Sequence, residues 1–340
     1  MVVRGTADPH SDIMSALWRG LVLALVSSAV CLAGRAVCGE VWGSRRSYAI
    51  GDNLVAEIRL LRSLAASGDY RILAEVLDRS VVHIPAGEFW MGNDGGSKDE
   101  RPQRSVYLDA FEIARYEVTN VQYQRFLQDT GREPPPYWSG GDYPPGTADS
   151  PVVGVTWEDA DAYCAWIGWR LPTEAEWERT CRGTDGRVYP WGNVWDPVRA
   201  NVGIFGDDVP EPRAHTDPGA LGPGDHWTPL QATLSAQDAL GLRAVGSYSE
   251  GASPQGVMDL VGNASEWMAD WYNWDGYWDM PDRNPASLGP EWNRSLRGSS
   301  WYPYGVVGWA QDRSRCSARN STHRGVPDAR FGFRCARSVP

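Results

Sequence analysis

The sequence predicts an α+β domain with little regular secondary structure, and three observations predict it. The chain of 340 residues carries 37 glycines and 24 prolines, which favours short elements joined by many turns. Its 18 tryptophans supply large aromatic side chains to fill a core between such elements. Strand-like alternation near residue 81 gives way to helix starts marked by threonine caps. The formal net charge of −11 argues against nonspecific nucleic-acid binding, which needs a basic surface, and is compatible with bound calcium.

Residues 1–37 read as a leader. Met1 to Ile13 is polar. Met14 offers a second start, Arg19 a positive flank, and Leu21 to Ala33 an apolar run too short to favour a spanning helix. Gly34-Arg35-Ala36 allows cleavage, so the segment is read as a signal peptide or an uncleaved N-terminal anchor. In residues 47–80, Val55, Ile58, Leu61 and Leu64 repeat at near-helical spacing, as do Leu73, Val76 and Leu77. This predicts a short helical extension, broken at Ala65 to Asp69. It could pack on the domain or join a membrane or envelope complex. Residues 81–340 form the main domain.

Within that domain Val81 to Met91 is strand-like, with Pro85 and Gly87 at a turn. Val106 to Ile113 alternates as a second strand. Thr119 caps a helix carrying Val121, Tyr123, Phe126 and Leu127 on one face. Gly131 to Ser150 is a long surface loop. Thr156, with Asp159 three residues on, forms a capping-box pattern for a helix to about Ile167. Thr173 repeats the signal with Glu176, for a helix to about Arg182. Glu174 and Glu176 are expected to cap and to form salt bridges, not to act as acids. Tyr189 to Ala244 is mostly irregular, with a polar, proline-rich excursion from Pro210 to Trp227.

Four blocks carry a resemblance. They are Ile84-Pro-Ala-Gly-Glu-Phe-Trp-Met-Gly92, Arg170-Leu-Pro-Thr-Glu-Ala-Glu-Trp177, Asp259-Leu-Val-Gly-Asn-Ala-Ser-Glu-Trp267, and Leu296-Arg-Gly-Ser-Ser-Trp301 with Phe331-Gly-Phe-Arg-Cys335. In this order they resemble the formylglycine-generating enzyme, or sulfatase-modifying factor, family. The resemblance implies a C-type-lectin-like core. It also implies last strands at Ser295 to Trp301, Cys316 to Arg319 and Arg330 to Ala336.

Beyond the leader the cysteines are Cys38, Cys164, Cys181, Cys316 and Cys335, and an exported chain would hold the last four as disulfides. Spacing alone allows three pairings. The resemblance selects Cys164 with Cys335 and Cys181 with Cys316.

The resemblance also implies two calcium sites. The first would use the side chains of Asp259 and Glu266 with the carbonyls of Gly262 and Ala264. Taken without it, Asp259 would cap a turn and Glu266 would pair with an arginine. The second would use Asn201, Val202, Asp238 and Leu240. Oxygen ligands of this kind suit calcium.

Activity is where the chain departs from the family. Copper(I) prefers thiolate ligands, and the family's oxidase places two reactive cysteines shortly after the block matching Leu296 to Trp301. Here the stretch from Trp301 to Arg315 contains no cysteine, and the matching positions fall near Pro303 and Gly308. Copper-dependent formylglycine generation is therefore expected to be absent. His10, His83, His215, His226 and His323 are scattered, without the spacing of an iron-binding triad. The expected function is an exported, calcium-stabilised scaffold binding a protein or peptide partner. Trp301, Tyr302, Tyr304, Trp309, Gln311, Asp312 and Arg313 are its expected binding surface. The alternatives are a divergent, non-copper maturation enzyme, with Glu266, Arg297, Ser300 and Arg319 at its pocket, and a structural subunit of an envelope complex. Asn263, Asn293 and Asn320 head glycosylation patterns.

Overall fold

The computed structural model describes residues 81–203, 241–287, 289, 291–302 and 307–339. The leader, the helical extension and the excursion from Pro210 to Trp227 lie outside the described residues.

The first strands form two separate sheets. Strand β1 (Val81–Ile84) turns at Pro85 into β2 (Gly87–Met91). The expected single strand over Val106 to Ile113 is instead two, β3 (Arg104–Leu108) and β4 (Phe111–Ala114). The break has a topological cause: β3 pairs with β2, whereas β4 pairs with β1, so the chain must cross between sheets at Asp109 and Ala110. Asp109 holds that crossing by taking bonds from Arg283 and Asn284.

Three helices follow their caps. Helix α1 (Asn120–Thr130) starts at Thr119, whose amide donates to Gln122 Oε1 at 2.9 Å. It stops at Gly131, whose φ of 67° is reached freely only without a Cβ. Helix α2 (Trp157–Trp166) starts at Thr156 with the Asp159 box, and α3 (Glu174–Arg182) at Thr173 with Glu176. Each such cap contributes about 1 kcal/mol.

The C-terminal half supplies β5 (Ser265–Trp271), β6 (Asn293–Arg297), α4 (Val307–Arg313), β7 (Asn320–His323), β8 (Phe331–Gly332) and β9 (Ala336–Ser338). Strands run β7-β6-β5-β8 in one sheet, with β5 and β8 parallel, while β9 returns to complete β1-β4-β9. The strand expected at Cys316 to Arg319 is a turn, because Cys316 is drawn to Val188 by its amide and to Cys181 by its sulfur.

Two aromatic-rich cores result. One packs Phe89, Met91, Phe111 and Ile113 of the early strands on Ala175, Trp177 and Cys181 of α3. The other packs α1 and α2 on β5 and β8 through Tyr123, Phe126, Tyr163, Trp267 and Phe333. Tyr123 and Tyr163 stack at 5.8 Å, and Phe333 meets Tyr163 edge-on at 5.4 Å, the offset geometries that ring quadrupoles favour. In the aromatic stretch from Tyr272 to Asp279, Tyr272 and Tyr277 are buried while Trp274 and Trp278 are exposed.

Candidate functional site

The segment entering β5 folds back on itself through left-handed residues. Asp259, Gly262 and Asn263 have φ of 57°, 80° and 61°. A Cβ on Gly262 would overlap the Asn201 carbonyl oxygen, so only glycine lets the two backbones touch. The Asn263 amide then donates to that oxygen at 2.8 Å. The Asn263 side chain is the hub of the loop. Its Nδ2 donates to Glu117 Oε2 at 2.8 Å and to the Arg243 carbonyl. Its Oδ1 accepts from Asn201 Nδ2 and the Arg243 amide. Glu117 Oε1 takes the Ala264 amide at 2.8 Å. With every polar atom engaged and the residue buried, Asn263 has no room for a glycan.

Carboxylates outnumber cations here. Glu117, Asp259 and Glu266 are all buried, and Arg334 is the guanidinium among them. Arg334 reaches both oxygens of Glu266 at 2.7 Å, and Trp177 Nε1 adds a third bond at 3.1 Å. Burial pushes the Glu117 carboxyl well above the ordinary carboxylate range, and Asp259 and Glu266 push it the same way. Burial also raises Asp259 to about 6, against the opposing Gly246 amide and Arg334. An all-oxygen donor set with surplus negative charge suits a hard cation such as calcium. Glu266 is already met by its two-point contact with Arg334, whereas Asp259 and Glu117 make no ion pair among the described residues.

Of the second expected site, Asn201 and Val202 are buried, and Asn201 joins the same loop by its bonds to Asn263. Asp238 and Leu240 lie outside the described residues. Glu117 and Arg334 carried no signal of this role in the sequence. Each lies more than sixty positions from its partner, and neither stands in a ligand-like spacing.

The expected binding surface divides. Trp301 is buried, not exposed: it packs with Val153, Leu242 and Ala264, and its Nε1 donates to the Ala329 carbonyl at 3.0 Å. Tyr302 is half-buried and meets the Trp301 ring edge-on. Gln311 and Asp312 are exposed on α4, and Arg313 is half-buried beside them. Tyr304 and the Trp309 side chain lie outside the described residues.

Below β6, a second ionic cluster is fully paired. Glu174 receives Arg297 Nε at 2.9 Å, Arg319 Nε at 3.0 Å and Arg319 Nη2 at 2.6 Å. Glu178 receives Arg297 Nη2 and Arg182 Nη1. Arg297 and Arg319, expected at a pocket, are thus spent on structural bonds, and all four side chains of the Glu174 and Glu178 pairs with them are buried. Ser300 is buried too, and its hydroxyl has no hydrogen-bond partner among the described residues.

The cysteines of the domain are all used. Cys164 pairs with Cys335, and Cys181 with Cys316, so no thiol remains between residues 81 and 339 to ligate copper. The pairing is the one the resemblance implies. Among the described residues, no group of three His, Cys, Asp or Glu side chains is arranged to hold a metal ion.

Comparison with known proteins agrees with this frame. Residues 74–339 match the sulfatase-modifying factor enzyme 1-like domain. A serine/threonine-protein kinase pkn1 from Chlamydia caviae is 32% identical over 76% of this chain but only 38% of its own length, so the chain spans less than half of that relative. The inactive C-alpha-formylglycine-generating enzyme 2 of Mus musculus is 30% identical over 78% of this chain and 88% of its own. Among solved structures, PvdO from Pseudomonas aeruginosa superposes with a TM-score of 0.54 at 26% identity, over 76% of this chain and 94% of that one. The chain belongs to the family of the sulfatase-modifying factor enzyme 1-like domain, as a member without the copper-binding cysteine pair of its oxidases.

Proposed function

We propose that the protein is an exported, calcium-stabilised binding member of this family, which presents the surface around α4 to a protein or peptide. One observation carries the reading. The family fold is present with two disulfides and buried ionic clusters, while the segment that would bear the reactive cysteines has none. The similarity to a mouse relative named inactive supports the same view. Tyr302, Gln311, Asp312 and Arg313 offer aromatic area and mixed charge, a composition suited to a recognition surface. The C-type-lectin-like core implied by the resemblance would tolerate variation there.

Calcium is part of the proposal. Three buried carboxylates, Glu117, Asp259 and Glu266, share one guanidinium, and a divalent ion at Asp259 and Glu117 would balance them. Two disulfides support passage through an oxidising compartment.

The test is elemental analysis of the mature protein made in an oxidising compartment, with calcium present throughout. Calcium at one or two ions per chain, without stoichiometric copper or iron, is the expected result. Chelation should lower the melting temperature, and calcium should restore it. Stoichiometric copper or iron would overturn the reading. The binding surface is tested separately by ligand capture, comparing wild type with the Gln311→Ala, Asp312→Arg double variant. Equal capture by both would remove α4 from the proposal.

A divergent enzyme is favoured by one feature, the unpaired buried hydroxyl of Ser300 beside the buried Trp301. Ser300→Ala should leave folding intact under either reading, and would abolish turnover only under this one.

A further inference from the structure

Strand β5 departs from its partner β6 at one place. Trp267 faces Leu296 and Trp271 faces Arg294, so Met268, Ala269 and Asp270 stand opposite Ser295 alone. A bulge of this size leaves backbone groups that the ladder cannot pair. Here they are met by side chains and by neighbouring loops. Trp157 Nε1 donates to the Met268 carbonyl at 2.8 Å, and Arg294 Nη1 donates to the Ala269 carbonyl at 2.6 Å. The Ala269 amide donates to the Pro172 carbonyl at 2.8 Å, and the Trp271 amide to the Ser287 carbonyl at 3.0 Å. The Asp270 carboxylate accepts from the Glu174 and Ser287 amides.

The guanidinium that bonds to this bulge lies between two aromatic faces. Arg294 is 8% exposed, and its Cζ is 3.7 Å from the centre of the Trp157 ring and 3.6 Å from that of the Trp271 ring. One indole comes from the start of α2 and the other from the end of β5. No carboxylate meets the charge directly. Glu158 is paired with Arg324 at 3.0 Å, both Asp270 oxygens accept amides, and no ion pair joins Asp161 to Arg294 among the described residues. The Arg294 Nε is buried without a hydrogen-bond partner among those residues. Burial lowers the Arg294 pKa to about 10, and Asp161, Asp270 and Glu158 only partly oppose it.

A guanidinium taken out of water needs a counter-charge, and the negative faces of two indoles supply one. Arginine suits the place because its flat group can lie on two rings at once, which an ammonium cannot do. We infer that Trp157 and Trp271 form a guanidinium-binding cage, filled by the chain's own Arg294, and that the filled cage fixes the β5 bulge. The occupant bonds to the bulge at Ala269, one wall bonds to it at Met268, and the other wall closes it at Trp271. The bulge in turn places Asp270 on the Glu174 amide, so the cage ties α2 and the sheet to the first turn of α3. It uses no residue of α4 or of the Asp259 loop, and it rests on neither reading of them.

Arg294→Ala in the full chain is the test, with ethylguanidinium chloride as the probe. That ion supplies Cγ, Cδ and the guanidinium group that alanine lacks. Sodium chloride keeps the ionic strength constant, and wild type, whose cage is filled, gives the baseline. The variant should melt at least about 5 °C below wild type. Ethylguanidinium should raise its melting temperature, relative to that baseline, by roughly 3–5 °C for each tenfold rise above the dissociation constant. Ethylammonium chloride, equally charged but not planar, should not, and Trp157→Leu in the same background should remove the response. Arg294→Lys keeps the charge without the plane and should also melt at least about 5 °C below wild type, which decides the matter if the alanine variant does not fold. A response to ethylguanidinium no greater than that of wild type, or an equal response to ethylammonium, would overturn the inference. So would a lysine variant that melts within about 1 °C of wild type.

Discussion

Glu174→Gln tests the ionic framework beneath β6. The wild-type carboxylate accepts three charge-assisted bonds from two arginines, and all three side chains are buried. An amide keeps one acceptor oxygen and turns an NH2 group toward an arginine. Arg297 retains Glu178 at 2.9 Å, and Arg319 retains only the carbonyls of Asp99 and Asn273. The cluster then holds Arg182, Arg297 and Arg319 against Glu178 and a neighbouring Asp270. Stranding a buried charge in this way costs about 3–5 kcal/mol. For a domain of this size that lowers the melting temperature by roughly 6–20 °C.

Urea unfolding of the oxidised protein measures it, read by tryptophan fluorescence and checked by coincident circular dichroism. Trp177 and Trp267 are fully buried and report the core. Lys98→Ala, which breaks an exposed pair with Asp275, is the control and should change stability by about 0–1 kcal/mol. A second variant, Glu174→Leu with Arg319→Met, should recover part of the loss, because the harm lies in the stranded charge rather than in the missing bond. The pH dependence has a definite sign. Burial opposes ionisation of Glu174, but Arg319 and Arg297 outweigh it and hold the carboxyl below its ordinary value. Its contribution is therefore full above the unfolded pKa and is lost as pH falls through the lower folded one. A cost below about 1 kcal/mol at pH 7, or one that does not shrink in acid, would refute the reasoning.

Asp270 gives the opposite sign. Burial and the nearby Glu174 raise it to about 7, while the Ser287 and Glu174 amides hold its two oxygens. A folded pKa above the unfolded one means that the folded state takes up a proton first. Wild-type stability relative to Asp270→Asn should therefore fall as pH rises from 5 to 7, then level off, as followed by urea titrations at each pH. Removing the second disulfide by Cys181→Ser with Cys316→Ser should cost about 2–5 kcal/mol in the same assay. Gly276→Ala should destabilise more than an ordinary surface substitution, because its φ is 83° and a Cβ would overlap the Arg101 carbonyl oxygen. A melting temperature within about 1 °C of wild type would contradict that.

What was legible in the sequence was local. Thr119, Thr156 and Thr173 announced their helices because a cap and its box lie within four residues of one another. The crossing at Asp109 was not legible, because alternation from Val106 to Ile113 does not say that two different sheets receive its halves. The strand that the resemblance implied at Cys316 to Arg319 is absent for a local reason, since a disulfide and one backbone bond hold Cys316 in a turn. At the candidate site, Asp259 and Glu266 could be picked out by the resemblance, and an arginine partner for Glu266 could be expected, but not that it would be Arg334. That pairing joins positions 68 residues apart. Trp301 was misplaced because the lectin-like resemblance assigned the whole segment to a surface, whereas its indole N–H meets the Ala329 carbonyl.

The two ionic clusters bear on why this fold can lose its oxidase centre and persist. Arg297 and Arg319 flank the segment that would carry the reactive cysteines, one on β6 and one just before β7. Both bind Glu174. The disulfides likewise tie α2 and α3 to residues beyond it, Cys335 and Cys316. Stability is thus held by groups on either side of residues 303–308, and none of the described bonds that fix β6, α3 or β7 needs a thiol between them. On the proposed function, the α4 face can then vary in sequence without loss of these bonds. The same logic separates the two tests. Glu174→Gln should weaken the whole domain and spare no surface, whereas Asp312→Arg should leave unfolding unchanged within about 0.5 kcal/mol, as exposed substitutions do. An Asp312→Arg variant that unfolded as readily as Glu174→Gln would mean that α4 is part of the framework after all.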